Sequence, residues 1–548
     1  MSFLIAIESG FLIHFPDWLH FSGLVFSLLF ILAGIFEFVF YFFISPSKRE
    51  FIRRKWWNFI FFILILLTLK NFELSRFLAL AREIFFLLLL FSKRRSFQDF
   101  FAQPFVKKPT RLLAMSFITI IFIGTILLTF PVSSENHQRT GVIDALFTAT
   151  SATCVTGLIV KDTPKYWSTF GEIVILLLIQ AGGLGIMTFS ISIALVFGAK
   201  LGLREKRALG EILEFPSVGE VGNIIKFILK FTFLAEFFGF ILLFFRWLPL
   251  FGDAKKALYF SIFHSVSAFC NAGFSLFSTS LKRFVSDPVT NIVMMLLIIS
   301  GGIGFVVISG LFKKEHFIKE WRLNSPKLTV HTKLVIIMSM VLIFIGFILF
   351  FVFEFDNVLI HQGIGSKLWA SLFQSITSRT AGFNTVDTLQ LKDVTLFMII
   401  FLMFIGASPG STGGGVKTST FAVLILAVIN MIRGREEIEI FNKTISKNFV
   451  YKAITIVIVS AFMISLGTGL LLITQKDSLM HLLFEVTSAF GTVGLSTGIT
   501  PMLNGIGKII IIILIYIGRI GPLTLAFAVG RYSKKLKREY PKARIMVG

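Results

Sequence analysis

Four short strips hold the residues whose type and spacing suit chemistry: "SATCVTGLIV" (151–160), "SAFCNAGFSL" (267–276), "SRTAGFNTVD" (378–387) and "SAFGTVGLST" (488–497). Aligned on Gly157, Gly273, Gly382 and Gly494, they recur after 116 residues (157 to 273), 109 (273 to 382) and 112 (382 to 494). Extended strips that converge on one axis present rings of backbone carbonyls, and such rings replace the hydration shell of a bare cation such as potassium. Glycine suits this arrangement because it reaches φ values that a side chain forbids and lets four backbones come together. Catalytic chemistry has little to work with, since the eight histidines are scattered and no carboxylates group beside them. Cys154 and Cys270 offer neither a disulfide framework nor metal-ligand spacing and read as small fillers.

A fifth stretch, "GASPGSTGGGVKTST" (406–420), poses a separate question. A phosphate-cradling loop needs Gly-Lys-Ser/Thr in direct succession after a soluble strand. Here Val416 separates Gly415 from Lys417, and the stretch follows the apolar "VTLFMIIFLMFI". It therefore reads as a break in a membrane helix: Pro409 removes a backbone donor and the glycines cost entropy in a helix.

The elements that carry these strips must lie in a bilayer. The chain is 55% hydrophobic and only 15% charged, with 68 phenylalanines and a mean hydropathy of +0.85. A soluble protein carries about a quarter of charged residues. Leu112 to Phe130, Ile173 to Ala199, Pro288 to Phe312 and Leu334 to Phe353 each exceed the roughly 18 apolar residues of a spanning helix. The first apolar stretch contains Glu8 and no small-residue cleavage site, so it does not read as a removable signal. A net charge of +23 concentrates in alternate loops, at Lys93 to Arg95, Arg204 to Arg207, Lys313 to Arg322, Arg433 to Lys447 and Arg531 to Arg544. Those loops are placed in the cytoplasm, together with the C-terminus, which explains the charge without nucleic acid.

Before each strip lies a segment of about a dozen residues, "VIDALFTATSAT", "ALYFSIFHSVSAF", "LWASLFQSITSRT" and "LMHLLFEVTSAF", too short to cross about 30 Å as a helix. After each strip a second apolar span carries a small-residue cluster, "GGLG" (182–185), "GGIG" (301–304), "GASPGSTGGG" (406–415) and "GRIG" (518–521). Only the third is expected to be unhelical. The predicted fold class is an all-α polytopic membrane protein with four pseudosymmetric helix, pore-helix, filter-strip and helix repeats around a central pore. Residues 1–104 form accessory N-terminal helices, and the repeats occupy 105–222, 223–326, 327–446 with an intramembrane loop at 406–418, and 447–548 with a basic tail. The arginines of the N-terminal part, Arg76, Arg82, Arg94 and Arg95, lack the regular spacing of a voltage sensor.

The strips, the Gly-Ser-rich break and the arginine of the fourth cluster resemble the Ktr/Trk/HKT superfamily of potassium transporters, most closely its Ktr membrane subunit. The resemblance covers about residues 105–548. It implies potassium uptake through a selectivity filter made of Val155, Thr156 and Gly157; Asn271, Ala272 and Gly273; Thr380, Ala381 and Gly382; and Thr492, Val493 and Gly494. It implies a gate beneath the filter from Ser408, Gly410, Ser411, Thr412, Gly413, Gly414 and Gly415, with Lys417 and Arg519. An intramembrane arginine is costly and is by default a functional residue. Arg519 is expected to bond loop carbonyls and to raise a barrier to cations. Lys417 reads equally as a gating residue or as a lysine reaching for the membrane surface. A loop with few internal hydrogen bonds is expected to rearrange easily.

The resemblance further implies a homodimer with Val547 and Gly548 at its interface, and a separate cytosolic nucleotide-binding regulatory ring on the basic face. No cofactor is expected beyond potassium, with or without sodium, and lipid is the other partner. A membrane enzyme and a scaffold fit the residues less well. A sodium- or proton-coupled secondary transporter of another small substrate is the alternative, and it would rest on the membrane acids Glu236 and Glu485. For His264 and Glu485 a structural hydrogen bond is preferred to ion binding. Asn271 is expected to brace the filter through its side chain.

Overall fold

The computed structural model describes residues 109–185, 221–311, 328–435 and 437–521. The accessory helices placed at 1–104, four of the basic clusters, residues 186–199 of the second predicted span and the C-terminal pair Val547 and Gly548 lie outside these residues. The regular structure of the described chain is helical apart from one hairpin, β1 (Ile438–Ile440) and β2 (Lys443–Ile445), turned by Phe441 and Asn442 at positive φ.

One order of elements occurs four times. A first helix, α1 (Pro109–Thr129), α5 (Val221–Phe251), α9 (Val330–Glu354) or α13 (Lys447–Thr474), precedes a half-helix. The half-helices are α2 (Val142–Thr153), α6 (Ala254–Phe269), α10 (Ile364–Thr377) and α14 (Leu479–Gly491), with 12, 16, 14 and 13 residues. At 1.5 Å per residue they reach about 18–24 Å, less than a bilayer core. A strip follows, and then a second helix, α4 (Thr169–Gly183), α7 (Pro288–Gly302), α11 (Asp393–Phe404) or α15 (Gly505–Ile520). In the first repeat a single turn, α3 (Thr163–Tyr166), lies between strip and second helix. The remaining described helices are α8 (Phe305–Leu311) and α12 (Thr418–Ile432).

Among the described residues, Lys226–Phe251, Val330–Glu354 and Lys447–Thr474 are long and apolar enough to cross a membrane. The expectation of one continuous span over Pro288 to Phe312 does not hold: α7 and α8 meet at 101° within "GGIG". The second cluster is thus broken as well as the third. Each second helix stops at its small-residue cluster, and Gly185, Gly304 and Gly521, the last residues of their clusters, all have positive φ. A branched chain tolerates that conformation poorly, so the glycine decides where the helix ends.

Contacts between Cα atoms divide the chain into two units. Of the described residues, one contains 126–141 and 166–172; the other contains 109–125, 142–165 and those from 173 onward, including all four strips. In the first unit Ser134 pairs with Trp167 in an isolated bridge, and Ser168 N donates to Ser133 O at 2.9 Å.

In the second unit a core of Leu342, Phe350, Leu396, Met398, Leu402, Phe484 and Val493 joins the third and fourth repeats. Glu354, the last residue of α9, is fully buried inside this region. Its carboxylate accepts from Asn357 Nδ2 at 2.7 Å, Lys392 N at 3.0 Å and Thr395 Oγ1, which ties α9 to the start of α11. Glu354→Ala removes the acceptor of all three donors, the buried Thr395 hydroxyl among them, a loss of about 2–4 kcal/mol. The expected outcome is a lower thermal unfolding temperature in detergent, with Glu354→Gln falling between the variant and the wild type.

Candidate functional site

The site begins where the half-helices end. After α2, Val155 N donates to Ala152 O at 3.1 Å and Thr156 N to Ser151 O at 2.8 Å. The same pair of bonds closes α6 (Asn271 N to Ala268 O at 3.0 Å, Ala272 N to Ser267 O at 2.8 Å) and α14 (Thr492 N to Ala489 O at 3.1 Å, Val493 N to Ser488 O at 2.8 Å). This is the Schellman closure, whose first residue past the cap adopts left-handed backbone and is usually glycine. Here Val155, Asn271 and Thr492 occupy it with φ of 57°, 60° and 49°, and Thr380 has φ 81° in the third strip. Three of the four are β-branched, the residues least suited to positive φ, at a cost of about 1–3 kcal/mol each.

Two residues further on, the glycines return to positive φ: 91° at Gly157, 71° at Gly273, 76° at Gly382 and 91° at Gly494. Backbone of alternating handedness can turn successive carbonyls to one side, whereas a regular strand alternates its direction. The four glycines stand in a closed ring. A carbon added to Gly157 would lie 3.0 Å from the Cα of Gly273, one on Gly273 3.1 Å from Gly382, one on Gly382 3.1 Å from Gly494, and one on Gly494 3.0 Å from Gly157. The same carbons would press on the carbonyl oxygens of Ala272, Ala381, Val493 and Thr156. Any side chain here therefore collides with the next strip.

Two layers of side chains hold the strips; sequence inspection missed the first and, in the second, pointed to a structural hydrogen bond only for His264 and Glu485. Ser151 Oγ accepts from Gly157 N at 3.1 Å and donates to Leu158 O at 2.7 Å. Ser267 donates to Phe274 O at 2.7 Å, and Ser488 accepts from Gly494 N at 3.1 Å. The third repeat, one residue shorter, uses Thr377 on Phe383 O at 2.8 Å, while Ser378, which heads the quoted strip, bonds Ser375 O. One turn earlier, His264 Nε2 lies 3.0 Å from Ser275 Oγ, Gln374 donates to Thr385 at 3.4 Å, and Glu485 accepts from Ser496 and from Thr500 at 2.9 Å. Each reaches from the half-helix to the exit of its own strip. The available signal was a long polar side chain in each of three apolar half-helices, eight or nine positions before the glycine. Asn271 braces as expected: its amide lies 3.3 Å from Thr380 Oγ1, which links the second strip to the third. Glu236, the other membrane acid, accepts from Gln180 Nε2 at 3.3 Å, and Cys270 Sγ donates to Gln180 Oε1 at 3.5 Å.

On the exit side of the strips all four glycines line one cavity of about 350 Å³. On the other side lies the irregular run between α11 and α12. Gly413 and Gly414 fit against the side chains of Thr380 and Thr492, and Gly414 N donates to Thr492 Oγ1 at 3.0 Å. The expectation of a loosely bonded loop is corrected by its partners. Ser408 N donates to Gly302 O at 3.0 Å, Thr412 N to Gly301 O at 3.1 Å, and Phe305 N to Gly410 O at 3.0 Å. Within the run, Ser411 Oγ bonds Ser408 O at 2.6 Å, and Ser408 Oγ accepts from Thr418 Oγ1 at 3.1 Å. Gly415, at φ 71°, returns the chain to Val416, which bridges Ile405. The bend in the second repeat is what exposes the carbonyls of Gly301 and Gly302 to these donors.

Lys417 does not reach outward, because its Nζ donates to Gly413 O at 2.7 Å. Arg519 donates to Thr412 O and to Gly182 O, so one guanidinium joins the loop to the first repeat from the fourth. The residues singled out from sequence thus form two stacked groups, strips above and loop below.

The sequence profile of the TrkH family, described as cation transport protein, matches residues 79–538. The chain belongs to this family. It is similar to the Ktr system potassium uptake protein B of Bacillus subtilis (strain 168), 40% identical over 442 residues, with 80% of this chain and 97% of that protein covered. It is also similar to the potassium/sodium uptake protein NtpJ of Enterococcus hirae, 37% identical over 447 residues, with 80% and 97% covered. The crystal structure of the potassium transporter TrkH from Vibrio parahaemolyticus shares the fold, with a TM-score of 0.60, 18% identity, and coverage of 92% of this chain and 97% of that one. Family membership sets aside the membrane-enzyme alternative, and the chain is a multi-pass membrane protein.

The two bonds made by Ser151 generate a prediction. Ser151→Ala strands Gly157 N and Leu158 O and is expected to cost about 2–3 kcal/mol. Its unfolding temperature should fall well below that of Ser378→Ala, whose hydroxyl holds only a local carbonyl.

Proposed function

We propose that the protein takes up potassium through an axial pore whose selectivity filter is the ring of four strips and whose gate is the loop at 406–418. The observation that carries this reading is the closed ring of glycines, held in strained backbone at the C-terminal ends of four half-helices. A helix C-terminus carries about half a negative charge, so four of them favour a cation that has shed its water. The carbonyls of Val155, Thr156, Gly157 and their counterparts supply the oxygen ligands. The names of the relatives from Bacillus subtilis and Enterococcus hirae support potassium as the ion and leave sodium as a second cation to be tested.

The gate works by competition for hydrogen bonds. The closed loop is held by Arg519 on Thr412 O, by Thr492 on Gly414 N, and by the carbonyls of Gly301 and Gly302. Opening exchanges these bonds for others within the hydroxyl- and glycine-rich run, or for water. Arg519 also places a positive charge below the filter, which slows cations until the loop moves. The Ktr name of the relative supports a multi-component system. We accordingly assign this chain the translocating role in a homodimer with a separate cytosolic nucleotide-binding ring, its C-terminus and basic loops cytoplasmic, and the four repeats as the pore domain.

Rubidium uptake into liposomes containing the purified protein tests the pore. Potassium-competed uptake is expected, and Arg519→Ala should raise it about ten- to hundredfold, in line with loss of a charge-assisted bond worth about 1.5–3 kcal/mol. Uptake that is unchanged in the folded variant removes Arg519 from the path, and parallel assays with and without sodium decide whether sodium assists. Gly382→Ser directs a side chain at Val493 O and should reduce the preference for potassium over sodium. An unaltered ion preference in that variant would exclude Gly382 from the filter.

A further inference from the structure

The cavity on the exit side of the strips contains more than carbonyls. Among the described residues that line it, three are charged: Asp162, Lys282 and Asp387. Asp162 is paired with Lys165 at 3.5 Å, a lysine whose side chain is 75% exposed. Lys282 Nζ lies 3.2 Å from Asp387 Oδ1, and both side chains are open to the cavity, 36% and 41% exposed. A lysine facing the mouth of a cation filter opposes the arrival of cations.

Its placement is fixed by the backbone. Leu281 N donates to Asn384 O at 2.9 Å and Asn384 N to Ser280 Oγ at 3.1 Å, so the exits of the second and third strips are joined next to the ion pair. Lys282 opens a short turn of 3₁₀ helix, and Asp387 caps another by accepting from Leu389 N at 3.3 Å. The neighbouring Arg283 is engaged elsewhere, with its guanidinium 4.6–5.6 Å from the ring centres of Phe284, Phe277 and Phe251. Among the described residues, Lys282 is therefore the one that brings positive charge to the carboxylate at the rim.

We propose that Lys282 sets the affinity with which the pore takes cations from solution, by neutralising Asp387 at the mouth of the four-glycine ring. The inference rests on the pore reading above. With Lys282 present, the charged lining sums to one negative charge; without it, to two, and the local cation concentration rises. The effect is Coulombic at a solvated site, so salt screens it.

The test is concentration-dependent rubidium uptake by the full chain in liposomes, for wild type, Lys282→Gln, Asp387→Asn and the double variant, at about 0.01 M and about 0.3 M ionic strength set with choline chloride. At low ionic strength Lys282→Gln is expected to lower the half-saturating rubidium concentration about two- to fivefold and Asp387→Asn to raise it similarly. The double variant should return near the wild-type value, and all differences should shrink at the higher ionic strength. The change is expected in half-saturation rather than in maximal rate. If the pair only clamps the two loops, both single variants shift in the same direction and lose maximal rate or thermal stability, which overturns the proposal. Wild-type uptake with an unmoved half-saturation in Lys282→Gln overturns it while leaving the pore intact. Absence of uptake in the wild type overturns both.

Discussion

The structure depends on the contact of four backbones around one axis. At Gly157, Gly273, Gly382 and Gly494 each strip is so close to the next that an added carbon would fall within about 3 Å of its neighbour's Cα and against its carbonyls. Backbone can approach backbone in this way only where no side chain intervenes, and at membrane depth it does so only if its polar groups find partners. Both conditions explain the surroundings of the ring. The half-helices stop early because their continuation would carry side chains into the axis; the serines and threonine behind them take up amide and carbonyl groups that leave the helix, and the longer polar residues hold hydroxyls at the strip exits.

Strain and bracing are two sides of one arrangement. Glycine at the left-handed positions after the half-helices would remove the cost of positive φ, yet Val155, Thr380 and Thr492 are found there. The side chains of the two threonines are in use: Thr492 accepts from the loop at Gly414, and Thr380 meets Asn271 on one side and Gly413 on the other. Of the strained residues, Thr380 and Thr492 thus connect their strips to the run beneath them. The surrounding bonds hold them in a conformation that isolated strips would leave.

The loop is asymmetric in a molecule of four repeats, and its bonds are distributed accordingly. It takes carbonyls from the second repeat, a hydroxyl from the fourth, and the guanidinium that also joins the fourth to the first. In the first, second and fourth repeats, Gly182, Gly301 and Gly518 pack directly on the last carbonyls of the half-helices, at Thr153, Phe269 and Phe490. The third repeat has no such helix at this level. That opening is the space the loop fills.

Much of this was legible in the amino-acid sequence because it is local or periodic. Hydropathy marked membrane helices; the recurrence of a glycine every 109 to 116 residues revealed the repeats; short segments before each strip implied half-helices; and Pro409 with its glycines predicted a broken span. The sequence could not reveal the 101° bend after Gly302, since "GGIG" and "GGLG" read alike as packing glycines and only the donors of the loop distinguish the carbonyls they expose. Nor could it show that Thr377 rather than Ser378 is the third brace, because a one-residue shift in a short segment is invisible without the partner carbonyl of Phe383. Lys417 was ambiguous for the same reason. Residue type and period decide which segments can be helices, strips or loops, for these depend on neighbours along the chain; the ring, the link from Asn271 to Thr380 and the bonds of Arg519 join residues about one hundred or more positions apart, and only tertiary packing brings those atoms into contact.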